Sequence, residues 1–107
     1  MSADRPTDPS PLPRPSARAA ARAQPVTCFS ILAETEAGVM PRVLEVFAKR
    51  DLVPRRWVSD VGGAGDRELS IDLQVEGLSR DTVDYIARCL RGLHYVDRVL
   101  TSEKASA

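Results

Sequence analysis

"ELSIDLQVE", residues 68–76, carries the clearest periodic signal in the chain. Leu69, Ile71, Leu73 and Val75 alternate with Glu68, Ser70, Asp72, Gln74 and Glu76. Successive side chains of a strand point to opposite faces, so this run has one apolar and one polar face. It belongs to a sheet covered on one side and open on the other. The flanking segments say what covers it.

Just upstream, "GGAGD" at 62–66 concentrates turn residues and reads as a turn or hairpin loop. The segment before it, "LVPRRWVSDV" at 52–61, has strand composition. Further back, Gly38 to Asp51 places Met40, Val43, Leu44 and Phe47 at i, i+3, i+4 and i+7, one apolar helix face. Pro41 suits the first turn of that helix, where an N–H has no intrahelical acceptor to meet. "VTCFSILAE" at 26–34 reads as a strand. Downstream, Ser79 is an N-cap with Asp81 in the first turn. Val83, Ile86, Ala87 and Leu90 then keep helical spacing up to Gly92, a C′ glycine. "HYVDRVLT" at 94–101 is a last strand. The order β-α-β-β-α-β, with two crossover helices on one face of a four-stranded antiparallel sheet, is the α+β ferredoxin-like arrangement.

Residues 1–25 have a different texture. Six of the eight prolines lie there, and large apolar residues are almost absent. Nothing offsets the entropy of ordering such a segment, so it reads as a disordered Pro/Ala/Arg-rich tail. The folded domain spans 26–101, and 102–107 is a short C-terminal tail. Aromatic residues are only 5% of the chain, so the core must be mostly aliphatic.

Acidic and basic residues balance at 15 each, which removes the simplest electrostatic case for nucleic acid. The strand at 68–76 also lacks the aromatic side chains on which RNA-binding sheets stack bases. No apolar run approaches the roughly 20 residues needed to span a bilayer, and no signal-peptide core opens the chain. A cytoplasmic location, with no membrane partner, is expected. Cys28 and Cys89 have no C-x-x-C spacing; they are either a disulfide or metal pair or, the preferred reading, two small buried hydrophobes. His94 is the sole histidine, and Ser30 and Ser59 have no nucleophile-elbow context. No catalytic residue, metal site or cofactor is expected in this chain.

The element order, "ETEAGVMPRVLEVFAKR" at 34–50 and "LRGLHYVDRV" at 90–99 together resemble an ACT domain. More narrowly, they resemble the small regulatory subunit of acetolactate synthase, isozyme II type. Glu34, Glu36, Gly38, Arg42, Val43, Phe47 and Arg50 match that family's first-loop and helix motif. The resemblance implies a non-catalytic regulatory role in branched-chain amino acid biosynthesis. It implies a homodimer formed through ACT domains, a large catalytic subunit holding thiamine diphosphate, flavin and magnesium, and a small amino acid effector. The implied effector positions are Thr35, Gly38, Val39, Met40 and Val53.

At Gly38 the missing side chain would let a ligand carboxylate reach the first N–H groups of the helix, those of Gly38 and Val39. The alternative is a glycine that only turns strand into helix, or lets two domains pack closely. Where the valine-sensing relatives carry asparagines, this chain has Thr35, which keeps a hydroxyl, and Val53, which keeps nothing polar. Two other functions stay open: a degenerate ACT module used only for protein association, and an amino-acid sensor for another enzyme. Trp57, beside Arg55, reads either as an interface anchor or as a core filler under a helix.

Overall fold

The computed structural model describes residues 25–104; the tail read over the first residues lies outside them, apart from Pro25. The chain runs β1 (Val26–Glu34), α1 (Val39–Ala48), β2 (Arg56–Gly62), a short 3-10 turn (Ala64–Asp66), β3 (Glu68–Glu76), α2 (Arg80–Arg91) and β4 (Val96–Lys104). The four strands form one sheet in the order β2-β3-β1-β4. Every neighbouring pair is antiparallel. This is the ferredoxin-like arrangement expected from the pattern.

Register explains why both helices lie on the same side. Ile31 of β1 sits between Ile71 of β3 and Val99 of β4. Leu73 of β3 sits between Phe29 of β1 and Trp57 of β2. The same-facing positions of all four strands therefore make one apolar surface, and Val39, Val43 and Phe47 of α1 and Ile86 and Leu90 of α2 pack into it. Phe47 meets Phe29 edge-to-face, with ring centroids 5.4 Å apart. The opposite face is open and mixed: the Ser30 hydroxyl donates to Asp72 across β1 and β3, and Val58 and Leu100 stand exposed in the same row.

Several boundaries move from those read in the sequence. The first helix ends at Ala48, not Asp51. Asp51 takes a left-handed backbone (φ 60°), and the Leu52 N–H returns to the Phe47 carbonyl. The second strand begins at Arg56 rather than Leu52, because Pro54 has no N–H to give a ladder. The last strand starts at Val96 and continues to Lys104, past the domain end placed at Thr101, since Ser102, Glu103 and Lys104 pair with Cys28, Thr27 and Val26. Gly92 closes α2 in a right-handed conformation (φ −84°) instead of the left-handed one expected. Tyr95 (φ 75°) makes the left-handed turn into β4 instead, and its carbonyl accepts the Glu34 N–H at 2.9 Å. Cys28 and Cys89 are both half-buried free thiols, so the disulfide alternative is not realised. Among the described residues no helix is long and apolar enough to cross a membrane.

Candidate effector loop and pairing edge

The loop between β1 and α1 is tied at one end of the sheet. Glu34 stands opposite Glu68 of β3, and the Thr35 N–H donates to the Arg67 carbonyl at 3.1 Å. Between this loop, residues 66–68 and Asp97 lies an open groove of about 570 Å³. Glu34, Glu36, Asp66, Glu68 and Asp97 line it with carboxylates, and Arg67 brings the one guanidinium of the lining. Such a lining favours a cationic group, for example an ammonium.

The start of α1 beside it has the opposite character. Gly38 is already right-handed (φ −78°, ψ −6°), with no side-chain cap and no acid in the first turn of the helix. No left-handed geometry requires the glycine. The missing side chain leaves room that Arg42 takes: a Cβ there would fall 2.3 Å from Nη1 of Arg42, the far end of a flexible side chain. That guanidinium folds back and donates to the Gly38 carbonyl at 3.2 Å. Of the two donors expected at this loop, the Val39 N–H is spent on the Glu36 carbonyl at 3.1 Å. The Gly38 N–H takes no backbone acceptor among the described residues. A helix N-terminus carries partial positive charge, and Arg42 adds a full one. Arg42 is thus a candidate site residue that the sequence motif named without showing its contact; its spacing four residues after Gly38 was the available signal.

Met40 lies half-buried in the same first turn, and its sulfur accepts from the Ser59 hydroxyl at 3.7 Å. The start of α1 therefore sits over β2. Thr35, Gly38, Val39 and Met40 share one end of the domain. Val53 does not join them. It is 83% exposed and precedes β2 at the other end, where Arg56 pairs with Gln74 while Gly62 pairs with Glu68. Six residue-to-residue steps separate those ends, about 20 Å at the usual rise, so one copy does not gather all five positions around one small ligand.

β2 is an edge strand, with one side unpaired among the described residues. Trp57 is half-buried on its helix-facing side and packs against the core. Arg55 is exposed; its N–H donates to the Gln74 carbonyl at 2.8 Å, and its guanidinium pairs with Glu76. Leu44, one turn after Met40, and Val61 of β2 leave apolar surface near this edge, 43% and 52% exposed. The His94 ring lies tilted against that of Tyr95, with centroids 4.1 Å apart. Among the described residues no group of three His, Cys, Asp or Glu side chains is placed to hold a metal ion.

A family model described as an ACT-like domain matches residues 20–106. Among solved structures, the chain is similar to the ACT domain of GTP pyrophosphokinase from Chlorobium tepidum, with 21% identity and a TM-score of 0.61 over 72% of this chain and 96% of that one. It is similar to the C-terminal domain of the MgtC protein from Mycobacterium tuberculosis, with 14% identity and a TM-score of 0.61 over 78% and 90% of the two chains. A homoserine dehydrogenase from Thiobacillus denitrificans matches at 14% identity and a TM-score of 0.60, over 77% of this chain but 18% of that one. At these identities the likeness is one of fold. A comparison with curated proteins finds no match.

Proposed function

The chain belongs to the ACT-like domain family, and from that premise we propose that it is a non-catalytic regulatory module that binds a small amino acid at the Thr35–Met40 loop. The observation that carries the reading is the start of α1. Its positive pole has no acid in the first turn, Arg42 is folded over Gly38, and a carboxylate-lined groove opens at the same end of the domain. An amino acid carries both charges this end would accept: its carboxylate toward Arg42 and the Gly38 N–H, its ammonium toward the acidic groove.

The free edge of β2 supplies the second half. Two copies pairing antiparallel through β2 would continue the sheet and cover Leu44 and Val61. Such pairing exchanges ends, so the α1 start of one copy would approach the Val53–Arg55 segment of the other. Val53, isolated within one copy, would then border the effector. Within this class we read the chain as the small regulatory subunit of acetolactate synthase, acting in the cytoplasm on a catalytic subunit that brings its own cofactors. The support is the motif at 34–50 with that at 90–99.

Thermal unfolding with each common amino acid at millimolar concentration tests the effector. Valine, leucine or isoleucine should raise the melting temperature; a ligand at 100 times its Kd adds about 2.7 kcal/mol. Co-purification with an acetolactate synthase catalytic subunit, and a change in its activity, tests the partner. No shift with any amino acid would sink the effector reading, and an unaffected catalytic subunit would sink the partner. A second reading, a module for association alone, is favoured by the spent Val39 N–H and the apolar Val53. It expects a dimer whose stability no amino acid changes.

A further inference from the structure

The outer surface of the helical layer holds a groove unrelated to the effector loop. Val46 of α1 and Lys49 and Arg50 just past its end face Tyr85, Arg88 and Cys89 of α2 across about 620 Å³, with Gly92 and Leu93 beside them. The Arg50 guanidinium carbon lies 4.2 Å from the centre of the Tyr85 ring, and that of Arg88 lies 5.9 Å from it. Two guanidiniums thus share one ring, itself 44% exposed. Lys49 adds a third cation, and the acid paired with it among the described residues, Glu45, stands at 3.9 Å with both side chains mostly in solvent, a weak pairing. No carboxylate lines the groove among the described residues.

Cations near helix C-termini oppose the negative end of the dipole, which accounts for basic residues here in general. It does not account for two guanidiniums gathered on one tyrosine beside the apolar Val46 and Leu93. Lys49, Arg50 and Arg88 bring charge of one sign to the same groove, and an anionic occupant offsets their mutual repulsion.

We propose that this groove docks an acidic amphipathic helix of a partner protein. Its carboxylates would meet Arg50, Arg88 and Lys49, and its apolar side chains would cover Val46, Tyr85 and Leu93. Charge complementarity sets the sign of the occupant. The apolar lining selects a peptide over a free inorganic anion, and a groove between two helices is shaped for the ridges of a third. The proposal is independent of the effector reading, since that site lies at the opposite end of α1.

The test is fluorescence anisotropy of the full chain with a labelled helical peptide carrying Glu on one face and Leu on the other. A peptide with Gln in place of every Glu is the control, and inorganic phosphate is the competitor. The Glu/Leu peptide should bind and weaken with salt. Affinity should fall about tenfold or more for the Gln peptide and for the Arg50→Gln/Arg88→Gln double variant. The Gln-peptide arm needs no variant, so it stands even if the double variant folds poorly. The proposal is overturned by no binding at about millimolar protein, by equal binding of both peptides, or by full displacement with millimolar phosphate. It is equally overturned if sedimentation shows that wild type self-associates through this groove and the double variant does not, because the occupant is then a second copy.

Discussion

The two helices start in opposite ways. α2 opens on Ser79, whose extended backbone (φ −73°, ψ 159°) lets its hydroxyl accept the Thr82 N–H at 3.2 Å, and Asp81 follows in the first turn. α1 opens on Gly38, already helical, with no side-chain cap and no acid in its first turn. Orphan donors and dipole are thus answered locally in α2. In α1 a cation, Arg42, is added to an end that is already positive. A helix so started draws its stability from what lies beneath it, and α1 has Val39, Val43 and Phe47 fully buried there. One helix start serves the fold; the other is held by packing, and its unanswered positive end suits the effector role proposed for it.

If packing holds α1, its loss must outweigh the loss of a cap. Phe47→Ala removes a fully buried ring and its edge-to-face contact with Phe29. The expected cost is about 3–5 kcal/mol. Urea unfolding should show a correspondingly lower midpoint, and thermal unfolding a melting temperature lower by at least about 12 °C. Ser79→Ala comes next, at about 1 kcal/mol, because it leaves the Thr82 N–H without its acceptor. Ser79→Gly should cost only a few tenths. A Phe47→Ala loss no larger than that of Ser79→Ala would break the contrast between a packed helix and a capped one.

What could be read in advance follows the same division. β3 was legible to the residue, because alternation with one covered face fixes which side chains point inward. The start of α2 was legible because its cap is written in a side chain, Ser79. The end of β4 was not: Ser102, Glu103 and Lys104 join β1 through backbone bonds on an edge, leaving no apolar pattern. Nor was the end of α1, where Asp51 adopts a left-handed conformation that no glycine announces. Gly38 could be located as a candidate site, but two facts about it needed three dimensions. One is that Arg42 fills the space the glycine leaves. The other is that Val53 sits at the far end of the sheet. The pairing of Arg50 and Arg88 on Tyr85 likewise exists only once two distant helices lie side by side.

The one expected gain in stability separates the two helix starts most sharply. Gly38→Asp gives α1 an acid of the kind α2 already has. The backbone at Gly38 (φ −78°) suits aspartate. The new Cβ would meet Arg42 Nη1, the far end of a flexible side chain, which can swing aside. The added carboxylate would gain about 0.3–1 kcal/mol from the helix N-terminus, with a further contribution from pairing with the displaced guanidinium. The ligand-free melting temperature should therefore hold or rise by a few degrees. The same carboxylate would occupy the position proposed for that of the effector, so the amino-acid-induced rise in melting temperature should fall nearly to zero. Comparing thermal unfolding of wild type and variant, with and without the amino acid giving the largest shift, measures both quantities at once. An undiminished shift in a folded Gly38→Asp variant would place the effector away from the start of α1, and the uncapped start would then be a feature of packing alone.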